Sequence, residues 1–215
     1  MKINTSPVFD KILALSNKYS KALKGKMEAR ITEMQDDDNS HYLIYKVLGI
    51  GDKEGQLIDE YQNKGRFLYK YAGSFLEDAA LLCFEEMYPQ AKRKVRIPNK
   101  TGKRPATFEI DCLVDNDAYE IKWRDATTDG DHITKEHTRI RNIVQAGYKP
   151  IRVMFYYPNR EQAIRIQDAL KAIYSSVGGS YYFGEGAWGI IERKTGINLL
   201  AILEEIARKK TGDGE

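Results

Sequence analysis

Apolar residues recur at helical spacing near the start of the chain, at Phe9, Ile12, Leu13, Leu15, Tyr19, Leu23 and Met27, with Ser6 in a capping position before Pro7. The spacing predicts a helix over residues 6–30. A polar run over 35–40, containing Asp36, Asp37 and Asp38, breaks the pattern, and 42–50 and 58–71 mix the two periods. A wide apolar face at Phe75, Leu76, Ala79, Ala80, Leu82, Cys83, Phe84 and Met87 predicts a clearer helix, opened by Ser74 and closed by Pro89.

Two short runs follow, 107–114 and 119–124, separated by Asp115, Asn116 and Asp117, which is turn chemistry between strands. A β-hairpin is predicted there. Beyond a polar loop over 125–131, residues 133–146 have helical spacing with Gly147 in the stop position. Residues 151–157 form a strand, Pro158 ends it, and a helix spans about 160–174. Strand, helix, strand, helix in series predicts an α/β fold with the last strand parallel to its predecessor. Five glycines between 178 and 189, mixed with Tyr181, Tyr182, Phe183 and Trp188, mark an aromatic loop region, and 198–210 is a final amphipathic helix. The chain divides into a mainly helical portion over 1–73, a core over 74–175, and a C-terminal loop and helix over 176–215, all within one domain.

Composition narrows the class. Hydrophobic residues make up 42% and charged residues 30% of the 215, the balance of a folded globular protein. No stretch has the length of a membrane span, and the first twenty residues lack the apolar core and cleavage site of a signal peptide, so a cytoplasmic protein is expected. Cys83 and Cys112 lie in apolar stretches without metal-ligand or disulfide spacing and are expected to be buried and reduced. Net charge is only +3, but residues 92–108 hold seven basic residues and no acidic one, a local field that a polyanion would feel.

The hairpin carries the chemistry. Glu120 and Lys122 are two apart on the second strand and share a face, while Tyr119, Ile121 and Trp123 take the other. Asp111 lies on the first strand, which the turn folds back so that its carboxylate approaches that of Glu120. Two carboxylates in one small volume repel unless a hard divalent cation sits between them. Mg²⁺ suits the pair, since it keeps several waters and needs only a couple of carboxylates, with the backbone carbonyl of Ile121 as a further ligand. An ammonium from Lys122 beside it would stabilise charge developing on a phosphate and orient the attacking water. An ExK triplet alone is a weak signal, usually an exposed cross-strand ion pair. Asp, turn and ExK in one hairpin say more.

These residues resemble the PD-(D/E)xK nuclease superfamily, whose core reads here as Ile110 and Asp111, then Glu120, Ile121 and Lys122. The stretch from Tyr119 to Ile140, continuing from Gly147 to Arg160, resembles type II restriction endonucleases of the ApaLI-like family. The resemblance implies a central mixed β-sheet flanked by helices, a restriction-endonuclease-like core. It also implies Mg²⁺-dependent cleavage of double-stranded DNA at a short specific site, by a homodimer matching a palindrome. Ile110 stands where the superfamily has a proline, one that is commonly absent. In similar enzymes a carboxylate on the preceding helix joins the metal site, and Glu77 is the matching candidate; a first-turn helix decoration is the equal alternative.

DNA contacts are expected from Lys94, Arg96, Lys100, Lys103 and Arg104 in the basic run, read as a loop that clamps phosphate, and from Arg124, Thr127, Thr128, His132, Lys135 and Arg139 after the catalytic strand. Asp125, Asp129 and Asp131 would repel phosphate, so some of them cap the helix, pair with arginines or accept from cytosine amino groups. His132 and His137 have no metal-type partner at helical spacing. Glu136 either orients Lys122 or a water, or forms a surface ion pair. Two other functions use the same residues: DNA binding without catalysis, with Asp111 and Glu120 in structural pairing only, and a repair or structure-selective nuclease.

Overall fold

The computed structural model describes residues 7–102, 104–125, 127 and 129–212. Among these, seven helices and five strands follow in the order α1 (Pro7–Gln35), α2 (Tyr42–Val47), α3 (Asp52–Met87), β1 (Lys92–Pro98), β2 (Thr107–Val114), β3 (Asp117–Arg124), α4 (Asp131–Gln145), β4 (Lys149–Tyr156), α5 (Glu161–Ser176), β5 (Ser180–Phe183), α6 (Glu185–Thr195) and α7 (Leu199–Thr211).

The strands form one sheet in sequence order, β1-β2-β3-β4-β5. The first two pairings are antiparallel and the last two parallel, with α4 and α5 as the parallel crossovers. This is the expected mixed sheet flanked by helices. Register puts Tyr119 beside Ile151 and Ile121 beside Val153, so these side chains share one face, where Phe84 of α3 meets Tyr119 and Trp188 of α6 meets Phe155. Glu120, Lys122, Arg152 and Met154 take the opposite face, towards α4 and α5. The apolar residues on either side are buried.

Four expectations change. The helix expected to open at Ser74 begins at Asp52, so 58–71 lie within one long helix, and 42–47 form the short α2. A helix that is polar over its first half has no clear apolar stripe to show in sequence. The basic run is not all loop: 92–98 form the edge strand β1, whose alternation was masked because only Ile97 is fully buried along it. Residues 180–183 form a strand and 185–195 a helix, where an aromatic loop was expected. The Ser6 cap lies outside the described residues. Cys83 and Cys112 are free and buried as expected, and burial pushes both thiols up to about 12.

The chain divides into two compact units, one of residues 1–12 and 76–215 and the other of residues 13–75. In the second, Tyr19 meets Tyr71 and Phe75 edge-on, Tyr42 stacks on Tyr45, and the Tyr45 hydroxyl donates to Asp59. Leu43, Ile44, Val47 and Leu48 of this unit are exposed.

Candidate active site

The β2–β3 ladder runs from the turn only as far as the Cys112–Tyr119 pair. One step further the same register sets Asp111 opposite Glu120, and here the strands part. In place of a ladder bond, the Ile121 N–H donates to Asp111 Oδ2 at 2.8 Å. Because N–H and C=O of one strand residue point to the same neighbour, the Ile121 carbonyl faces this opening too. On β1, Lys94 falls between the pairs Arg93–Cys112 and Val95–Ile110, at the register position of Asp111, and has a positive φ of 52°. Ile110 and Leu113, three residues apart, belong to one apolar cluster with Ile97, Ala118 and Ile143, which strict alternation would forbid. The break in alternation thus falls at Lys94 and Asp111.

Around that break the charges converge. Glu120 is 3% exposed, and both Lys122 and Arg139 of α4 form ion pairs with its carboxylate. Arg139 also donates to the Glu109 carbonyl at 2.6 Å and lies 3.5 Å from Glu136. Glu77 of α3 accepts from Lys94 at 2.5 Å, and Lys94 is 3.6 Å from Glu109. Burial and the nearby Asp111 carboxylate push the Glu77 carboxyl above its usual range, outweighing Lys94 and Lys122. Burial alone would lower Lys94, but its bond to Glu77 and the charges of Asp111 and Glu109 hold it up. Burial draws the Arg139 guanidinium down. An open cleft of about 330 Å³ is lined by Asp111, Glu120, Lys122, Lys135, Glu136 and Arg139, with Glu109 and Phe108 at its side.

No three acidic, histidine or cysteine side chains are arranged as a ready metal-ligand group among the described residues. The donor set nevertheless fits a hard cation. Glu120 Oε1 is buried and, though Lys122 is close, has no aligned hydrogen-bond donor. The Asp111 carboxylate is close enough to raise the carboxyl of Glu77. A divalent ion would satisfy the orphaned oxygen and the repulsion together, using oxygen ligands and retained water.

The expected residues distribute as follows. Asp111, Glu120, Lys122 and Glu77 come together, and Lys94, Lys135 and Arg139 adjoin them. Arg96 is exposed and 3.6 Å from Glu109. The Lys100 N–H donates to Asn142, and Arg104 is exposed. Arg124 ends β3, and the Thr127 N–H donates to Asp125. Lys103 and Thr128 lie outside the described residues. Glu136 is buried, not a surface pair. Of the loop acids, Asp125 accepts from Arg152 at 2.5 Å and lies 2.9 Å from His132, while Asp129 accepts the Asp131 N–H. Burial would raise the Asp125 carboxyl, but His132 and Arg152 hold it well below the carboxylate range.

Sequence reasoning missed Arg152, a fully buried cation on β4. Its one signal was a lone charge inside the apolar run from Pro150 to Phe155. Burial would lower its guanidinium, yet Tyr174, Glu136, Tyr181 and Asp125 together raise it.

The family model described as ApaLI-like restriction endonuclease matches residues 3–208. No curated protein and no solved structure matches the chain.

Proposed function

The chain belongs to the ApaLI-like restriction endonuclease family, and from that premise we propose that it cleaves double-stranded DNA at a short palindromic site by Mg²⁺-dependent phosphodiester hydrolysis, acting as a homodimer. The observation that carries this is the meeting of Asp111 and Glu120 where the hairpin ladder opens, with Lys122 on the same face.

In this reading Asp111, Glu120, the Ile121 carbonyl and Glu77 hold the cation. When bound, it lowers the pKa of a coordinated water and offsets negative charge on the phosphate. Lys122 sets its ammonium beside the scissile phosphate and orients the attacking water. Lys135, on the cleft wall, binds phosphate oxygens, Arg139 holds the Glu120 carboxylate, and Lys94 holds Glu77 in place. Arg96, Lys100, Lys103 and Arg104 extend the phosphate contact, while Arg124, Thr127, Thr128 and His132, which follow the catalytic strand in the sequence, read base edges. A palindromic duplex has the two-fold symmetry of a paired chain, which is the reason for a homodimer.

Incubation of the purified protein with plasmid DNA tests the proposal. Discrete fragments in Mg²⁺, and retention of DNA without cutting in Ca²⁺, are expected. A smear would indicate a nuclease without sequence preference, and binding without any cutting would leave the two carboxylates a structural role.

A further inference from the structure

We infer that Arg152 is a positioning residue of this cleft: it pins the segment leaving the catalytic strand and the helix carrying Arg139 to one point of the sheet. The inference rests on the nuclease reading above. Arg152 is the largest side chain among those with almost no exposure, at 0%. Its neighbours on β4, Ile151, Val153, Met154 and Phe155, are buried and apolar, so packing alone would be served by another apolar residue. A buried ion pair exchanged for apolar groups of similar size often leaves stability unchanged or higher. Stability therefore does not account for a guanidinium here.

Its partners come from separate parts of the chain. One terminal nitrogen donates to Asp125 Oδ2 at 2.5 Å, just past β3; the other terminal nitrogen donates to Glu136 Oε2 on α4 at 3.1 Å, and Nε is buried without a hydrogen-bond partner among the described residues. Register sets Arg152 beside Glu120 of β3 on one side and Tyr181 of β5 on the other. The Tyr181 hydroxyl donates to Gln167 at 2.6 Å, and Gln167 donates to the Asp125 carbonyl at 3.4 Å, so Asp125 is held by side chain and backbone alike. From Glu136 the contacts continue to Arg139 and then to Glu120 and Lys122. Six groups of alternating charge, Asp125, Arg152, Glu136, Arg139, Glu120 and Lys122, thus run from the segment after β3 into the cleft. Without Arg152, Glu136 loses its buried partner, Arg139 is drawn to Glu136, and the grip on Glu120 slackens. Lysine cannot replace it, because a single ammonium lacks the fork that reaches two carboxylates at once.

The test compares the wild type with Arg152→Lys and with the triple variant Asp125→Asn/Glu136→Met/Arg152→Met, which removes the guanidinium together with both carboxylates it joins, on a duplex carrying the site mapped from wild-type digestion. Three quantities are read: single-turnover cleavage in Mg²⁺, affinity for that duplex in Ca²⁺, and the thermal unfolding midpoint. Cleavage by both variants should be about 10- to 100-fold slower, with duplex affinity changed by no more than about threefold and with the triple variant as thermally stable as the wild type. Wild-type cleavage by Arg152→Lys, or a rate that recovers in step with stability in the triple variant, overturns the inference. If substitutions at 152 do not fold, Glu136→Gln carries the test: a loss of at least about tenfold supports the inference and an unchanged rate overturns it. A wild-type protein that never cuts defeats the nuclease reading, and the inference with it. One that cuts while every variant cuts equally defeats the inference alone.

Discussion

Asp111 has two duties at one carboxylate: it accepts the Ile121 N–H and its charge raises the carboxyl of Glu77 on α3. Asp111→Ala should cost about 1 kcal/mol of stability, a single buried hydrogen bond. It should also lower plasmid cleavage by at least about a thousandfold, as should Lys122→Ala, with circular dichroism unchanged. Glu77 gives a pH signature. Its folded-state pKa is raised, so the metal-free fold takes up a proton there more readily than the unfolded chain. That contribution to stability is present below the unfolded carboxylate value and is lost as pH rises through the folded one. A cation competes with the same proton. Mn²⁺ affinity, followed by calorimetry, should fall on acidification in the wild type and fall less in Glu77→Gln. Asp125 has the opposite sign. Its lowered carboxyl adds stability above the unfolded value of about 3.9, and loses it as pH falls through the folded value. Asp125→Asn should destabilise the protein by about 3 kcal/mol at neutral pH, measured by denaturant unfolding, because it leaves part of Arg152 without charge. The ExK pair and Asp111 were legible because a tight turn between two strands sets their spacing. Arg139 and Arg152 were not assigned these partners, because their ion pairs depend on how α4 lies over the sheet.

At the scale of elements, the hairpin, α4, β4, α5 and α7 were legible, since each has a strong period bounded by Gly, Pro or Asn. Asn198, for instance, accepts the Ala201 N–H at the start of α7. What escaped were segments whose pattern is set by neighbours. β1 is an edge strand of mostly exposed basic residues, and β5 is four residues long. Close approach fixes where β5 begins: a Cβ on Gly179 would meet the Pro150 carbonyl oxygen at 2.6 Å and the Tyr174 carbonyl oxygen at 2.9 Å. Both obstacles are backbone. Gly179→Ala should therefore destabilise the sheet by about 1–3 kcal/mol in thermal unfolding, with β5 losing amide protection before β3.

For the whole molecule, a net charge of +3 understates its attraction for DNA, because residues 92–108 hold seven basic residues and no acidic one, whereas in the cleft Lys122, Lys135 and Arg139 stand among Glu109, Asp111, Glu120 and Glu136. DNA affinity should fall steeply with salt, and Lys135→Ala should reduce the slope of log affinity against log salt by about 1. The aspartate run at 36–38 lies inside the unit of residues 13–75, so it marks the break between α1 and α2 and not a boundary between units. No helix among the described residues is long and apolar enough to cross a membrane. Anomalous diffraction from a crystal soaked in Mn²⁺ reaches the centre of the account. A peak in contact with Asp111 and Glu120, within reach of Lys122, is the predicted result. Density showing those carboxylates turned apart, with manganese bound elsewhere or nowhere, would contradict it.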